Sequence, residues 1–257
     1  MRCTRLSIRT LAGLFLSVIL LQPLAHADEV KAAVAANFTA AIKQLTPLFE
    51  QKTGHKLVAS FGATGQLYAQ INNGAPFDVF LAADDQAPQQ LIASGNAVAG
   101  SHFIYARGRL ALWSSTPGYV DSNGDILKSN KFEKIAVANP KIAPYGKAAI
   151  ETLTALKLLE QLQPKFVTGE NIAQTQQFIS TGNVPLGFIA LAQVNALPAT
   201  ERGSFWVVPD KLHEPIEQGA VLLKNANADA SAATAFLAFL KSPEAVTVIR
   251  ELGYEVP

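Results

Sequence analysis

The sequence predicts an α/β protein in which a parallel sheet with helical crossovers is followed by the strands of a second sheet. Three observations predict it. Short apolar runs alternate with stretches of helical periodicity along the chain. The first of these read strand–helix–strand–helix–strand, the pattern of parallel strands joined by helices. The chain also has 257 residues, of which 49% are apolar and 16% charged, enough for a substantial core and too few charges for a disordered polyelectrolyte.

The chain opens on an address. Arg2, Arg5 and Arg9 precede the apolar run 11–21 (LAGLFLSVILL), and Pro23 and Ala25-His26-Ala27 follow it. Basic, apolar and small-residue parts in that order make a secretory signal, 1–27, cut after Ala27. The apolar run is too short to span the hydrocarbon of a bilayer, and no cysteine stands at the cut to take a lipid. The expected product is exported, with a mature chain of 28–257.

Within that chain, residues 30–35 (VKAAVA) read as a short buried strand. Phe38, Ile42, Leu45, Leu48 and Phe49 then fall at helical spacing, with Gly54 as the stop. A second strand, 56–60 (KLVAS), leads through the turn 61–65 into a helix near 66–73. A third strand, 78–82 (DVFLA), leads into a helix over 85–94 ended by Gly95. Residues 110–114 and 135–138 are strands of the second sheet. Ile150, Leu153, Leu156 and Leu159 align on one face of a helix over 147–159. A helix over 171–180, strands over 185–190, 205–208 and 217–223, and helices over 230–240 and 242–252 complete the reading. Ser242 as N-cap with Pro243 and Glu244 behind it is a strong start signal for the last helix. Soft boundaries fall near 106–108 and 210–215.

Composition excludes several functions. Twenty-one Lys and Arg against 20 Asp and Glu give a net charge of +1, so electrostatics makes no case for nucleic acid. The single cysteine, Cys3, excludes a disulfide framework and a cysteine-ligated metal. Nucleophile elbows, zinc-protease motifs and phosphate-binding glycine loops are absent, and His55, His102 and His213 are far apart. Asp84-Asp85 reads as a helix cap rather than a catalytic pair, the lysines at 128, 131 and 134 as a solvated face, and Trp113 and Trp206 as core.

The informative places are the handovers from strand to helix, where open α/β sheets bind ligands. Asn37 and Thr64 each stand at such a handover, where the Asn37 amide and the Thr64 hydroxyl are expected as side-chain donors beside unpaired N–H groups at the positive end of a helix. Plain capping accounts for either residue alone. Two such helix starts aimed at one cleft would hold a dianion without any formal charge.

Residues 74–84 (GAPFDVFLAAD) carry a resemblance that the rest of the mature chain supports. The supporting pieces are 60–67 (SFGATGQL), Asn139-Pro140 with Pro144-Tyr145-Gly146, Pro185-Leu186-Gly187, and 241–245 (KSPEA). In their order and spacing the chain resembles the periplasmic molybdate-binding proteins of ATP-driven (ABC) importers, a family of the type II periplasmic binding proteins. The resemblance implies two doubly wound α/β domains joined by a hinge, 28–106 plus 216–257 and 107–215, with the ligand in the cleft between them. It implies a binding protein and not an enzyme. The ligand implied is molybdate or tungstate, held as a whole oxyanion by neutral donors, with no direct metal ligand and no cofactor. The partner implied is the importer's permease in the inner membrane, and the binding protein itself is a monomer. The family's binding positions fall on Asn37, Thr64, Tyr145 (N–H and hydroxyl) and the N–H of Ile172. Some members carry a tyrosine where this chain has Ala190, and Tyr145 is expected to replace that donor. Two rivals remain at this stage: a binder of another tetrahedral anion such as sulfate or thiosulfate, and an exported enzyme on the same scaffold.

Overall fold

The computed structural model describes residues 28–129, 131–224 and 230–257. The expected signal, 1–27, lies outside the described residues. In chain order the elements are β1 (Glu29–Ala35), α1 (Thr39–Thr53), β2 (Lys56–Gly62), α2 (Thr64–Asn72), β3 (Val79–Leu81), α3 (Gln86–Ala93), β4 (Phe103–Gly108), β5 (Leu110–Ser114) and β6 (Ile135–Ala138). There follow α4 (Pro144–Ala155), α5 (Leu159–Leu162), β7 (Phe166–Gly169), α6 (Ile172–Ser180), β8 (Gly187–Ala190), α7 (Leu191–Asn195), β9 (Ser204–Val207), β10 (Ile216–Leu222), α8 (Ser231–Phe239) and α9 (Pro243–Glu251).

Two five-stranded sheets result, ordered β2-β1-β3-β10-β4 and β7-β6-β8-β5-β9. Strands β1, β2 and β3 are parallel, as the alternation predicts, but β10 runs antiparallel to β3 and β4. The second sheet is mixed in the same way, with β6 parallel to β7 and β8 and β5 antiparallel to β8 and β9. The mixture follows from the path of the chain. It leaves the first sheet after β4, crosses Arg109 into β5, and returns from β9 into β10.

Helices on both faces bury each sheet on both sides, which is why the strands read as continuous apolar runs. Along β1, Val30, Ala32 and Val34 pack with Phe38, Phe49, Phe236 and Ile249, while Ala33 faces Leu67, Phe80 and Leu91 on the other side. In β5, Leu110 and Leu112 face Tyr145 and Phe188, and Ala111 and Trp113 face Ile179 and Val194. Trp113 and Trp206 are both buried, as expected of core residues.

Local signals are obeyed where they were strong. Gly54 ends α1 at φ +76°, its N–H bonded to the Glu50 carbonyl, a conformation that glycine adopts without strain. Ser242 caps α9 by accepting from the Ala245 N–H, with Pro243 in the first turn. The helix expected over 147–159 begins earlier, at Pro144, and stops at Ala155; Lys157, at φ +60°, breaks it from α5. Strands β4 and β7 and helix α7 were not anticipated. Strand β7 has four residues, largely half-buried, and α7 only five, so neither is long enough to show a period.

Candidate oxyanion-binding site

The site grows out of two pairs of strand ends. In the first sheet Ala35 and Gly62 are register partners, so β1 and β2 finish side by side and hand over to helical turns at Ala36 and Thr64. In the second sheet Ala138 and Gly169 are register partners, and β6 and β7 lead in the same way to α4 and α6. The four helical starts meet around one cavity lined by Asn37, Thr64, Tyr145 and Ile172 together with small neighbours. All four sequence-predicted residues therefore come together, and each is at most 4% exposed.

The cavity is small, about 10 Å³, close to the least that holds a single water molecule. No Lys, Arg, His, Asp or Glu lines it. Its electrostatics come from backbone instead. The N–H groups of Asn37, Thr64, Tyr145 and Ile172 lie in first turns and have no partner within their helices. The starts of α2, α4 and α6 each add a partial positive charge of up to about half a unit, and the 3-10 turn 36–38 adds free N–H groups beside them.

The two halves approach each other closely beside this space. The Gly65 N–H donates to the Ile142 carbonyl at 2.9 Å, a main-chain bond between an element of each sheet. A Cβ on Gly146 would lie 2.1 Å from the Ala138 carbonyl oxygen, so α4 starts hard against the end of β6 only because residue 146 is glycine.

Behind the cavity lies a buried polar cluster. The Asn37 amide Nδ2 donates to Gln218 Oε1 at 2.8 Å and to Tyr254 Oη at 3.1 Å. Tyr254 donates to the Asn37 carbonyl at 2.8 Å, and Tyr105 Oη lies 3.0 Å from both Gln218 Oε1 and the Ala82 carbonyl. Gln218 Nε2 donates to Tyr145 Oη at 3.4 Å. Burial pushes the Tyr105, Tyr145 and Tyr254 hydroxyls up, so all three are neutral.

This geometry corrects two sequence expectations. Neither Asn37 nor Thr64 caps its helix, because no side-chain cap bond is present at the start of α1 or α2. Thr64 Oγ1 instead accepts the Ala83 N–H at 2.9 Å. The Asn37 amide N–H groups turn toward Gln218 and Tyr254, neither of which lines the cavity, so Asn37 brings its backbone N–H to the site. For the Asp84-Asp85 pair, capping is confirmed in Asp84, which accepts the Ala87 N–H. Asp85 bonds His102 and Gln89 instead.

Ala190 is fully buried and does not line the cavity; its N–H donates to Gln193 Oε1, and Gln193 Nε2 donates to the Ile172 carbonyl. Sequence reasoning missed Gln193, Gln218, Tyr105 and Tyr254. The available signal was a glutamine breaking the apolar run 216–222 (IEQGAVL). Among the described residues no group of three His, Cys, Asp or Glu could hold a metal ion, and no single helix is long and apolar enough to cross a membrane.

Comparison with known proteins places this arrangement in context. A family model described as "bacterial extracellular solute-binding protein" matches residues 30–255. The chain is 53% identical over 230 residues to the molybdate-binding protein ModA of Azotobacter vinelandii, covering 90% of this chain and 91% of that one. It is 52% identical over 230 residues to ModA of Rhodobacter capsulatus, covering 90% and 89%. The solved structure of the Azotobacter vinelandii periplasmic molybdate-binding protein superposes with a TM-score of 0.85, covering 89% of this chain and 99% of that one at 42% identity.

Proposed function

Because this chain belongs to the bacterial extracellular solute-binding proteins, in their periplasmic molybdate-binding branch, we propose that the closed cavity between its two sheets is where the oxyanion sits. Its activity is binding and not catalysis: it captures molybdate and delivers it to an ABC-type importer. The observation that carries the site is the convergence of four helix starts on a cavity without a charged side chain. The contacts we assign are the backbone N–H groups of Asn37, Thr64, Tyr145 and Ile172, with the Thr64 and Tyr145 hydroxyls. Tyr145 then stands in for the tyrosine that Ala190 replaces. Tungstate, of the same charge and shape, is the second ligand. The hinge divides the chain into 28–106 plus 216–257 and 107–215, and the protein acts as a monomer after removal of 1–27.

Donor-only chemistry sets the selectivity. An oxyanion that is fully ionised near neutral pH can take every N–H and O–H the cavity offers. Hydrogen phosphate brings an O–H of its own, and no carboxylate lines the cavity to receive it, at a cost of about 1–3 kcal/mol for the buried unpaired donor. Sulfate has the right charge but shorter bonds to oxygen, so donors fixed on rigid helix starts stand too far from it. Calorimetric titration with molybdate, tungstate, sulfate and phosphate at constant ionic strength tests this. Molybdate and tungstate should bind far more tightly than sulfate, and phosphate should bind hardly at all. Sulfate equal to molybdate would defeat the selectivity argument, and silence toward all four anions would defeat the site.

A further inference from the structure

Gln218 is fully buried at the register break of β10, on the first sheet, and the anion contacts assigned above do not use it. Its hydrogen-bond directions can nevertheless be derived one atom at a time. The Asn37 main-chain carbonyl only accepts, so the single proton of Tyr254 lies between them. The Asn37 side-chain atom beside Tyr254 Oη must then be the NH2 group, because the hydroxyl has no second proton to give. The Gln218 atom 2.8 Å from that NH2 group must in turn be the oxygen; Tyr105, with one proton between Gln218 and the Ala82 carbonyl, is neutral on the point. That leaves the Gln218 NH2 group facing Tyr145 Oη, which accepts from it at 3.4 Å, with the Asn37 amide bearing on the same oxygen in the same sense.

Resting on the oxyanion reading, we propose that Gln218 is a positioning residue for the site: by donating to Tyr145 it turns the one phenolic proton of Tyr145 toward the cavity. Tyr145 lines the cavity from α4, on the second sheet, so the same bond joins the two halves behind the anion. Thr64 is set in the same sense on the other wall, where accepting the Ala83 N–H leaves its proton for the cavity. Gly108 makes room for the arrangement, since a Cβ there would lie 2.0 Å from Tyr145 Oη and 2.7 Å from Gln218 Nε2. The ionisable groups facing Gln218 are Tyr105 from β4, Tyr145 from α4 and Tyr254 beyond α9. Asp84 lies next along, its carbonyl accepting the Gly219 N–H.

The test titrates molybdate into the mature protein and into Gln218→Glu and Gln218→Met, each with Tyr145 and with Tyr145→Phe, with ligand-free melting curves to show that each variant is folded. A neutral glutamic acid can still donate to Tyr145, whereas the carboxylate would pull the tyrosine proton away from the anion. Binding by Gln218→Glu should therefore weaken about tenfold per pH unit above the pKa of that carboxyl and recover on acidification, while the parent stays flat over the same range. Gln218→Met should weaken binding by roughly 10- to 100-fold when Tyr145 is present, and by less than about threefold in Tyr145→Phe. A merely structural role would give equal losses with Tyr145 and with Tyr145→Phe, for Gln218→Met and for the pH slope of Gln218→Glu alike, since repulsion by the new carboxylate acts in both; that result overturns the proposal. If Gln218→Glu does not fold, the Gln218→Met comparison decides alone. A parent protein that binds no molybdate would instead sink the oxyanion reading itself.

Discussion

Replacing Thr64 by valine keeps the shape of the side chain and removes only its hydroxyl, so no cavity is opened and two separate losses can be read. The first is internal. Thr64 Oγ1 accepts the Ala83 N–H at 2.9 Å, and both residues are 2% exposed. Without the oxygen that N–H is buried unpaired, which costs about 1–3 kcal/mol of stability. For a chain of this size that lowers the melting temperature by about 2–4 °C per kcal/mol. The second loss is to the ligand. A hydrogen bond to a charged group contributes about 1.5–3 kcal/mol, so molybdate should bind roughly 10- to 150-fold more weakly. Thr64→Ser keeps both bonds and should stay within a few-fold of the parent. Ligand-free melting curves and calorimetric titration separate the two effects. A valine variant that melts early but binds molybdate as the parent does would show that the hydroxyl serves the Ala83 N–H alone, and the anion contact assigned to it would fall.

Two further outcomes follow from other parts of the site. Gly108→Ala places a methyl group against Tyr145 Oη and Gln218 Nε2, so we expect a loss of about 1–3 kcal/mol in melting experiments and at least tenfold weaker molybdate binding; parental values for both would contradict the packing described. Asp84 gives a pH signature, because burial holds its carboxyl above the ordinary value of 3.8. The folded chain thus binds that proton more tightly than the unfolded chain, and the stability this contributes is full at acid pH and lost as pH rises through the raised value. Asp84→Asn stays neutral and can still accept the Ala87 N–H, so it should raise the melting temperature at pH 7 with a gain that shrinks toward pH 4. A gain independent of pH would point to some other cause.

The first three strands and their helices were legible because both faces of that sheet are buried and glycines mark the helix ends at Gly54 and Gly95. Strand β4 was not, because Arg107 and Gly108 interrupt its apolar pattern at the edge of the sheet, where Arg107 is free to pair with Glu217. Around the cavity, Asn37 and Thr64 stood out in the sequence by their place at strand-to-helix handovers, whereas Tyr145 and Ile172 came only with the family resemblance. What their side chains touch could not be read there. Asn37 meets Gln218 across 181 residues and Tyr254 across 217, and no local rule reports such pairings. Capping, the local explanation for Asn37 and Thr64, failed because tertiary partners took both side chains.

Those long separations also say when the site comes into being. Its walls come from five places between residues 35 and 172, and the groups that orient them arrive from β10 and from Tyr254. Contacts that distant in sequence form late, because the closure entropy of large loops stands against them until most of the fold is present. A chain whose halves have not yet met thus has strands and helices in prospect but no such cavity. Once both halves have assembled, bound molybdate stabilises only the finished molecule, by about 2.7 kcal/mol at a hundred times its dissociation constant. Capture of the ligand thus waits on the completed fold and, once made, helps to hold it.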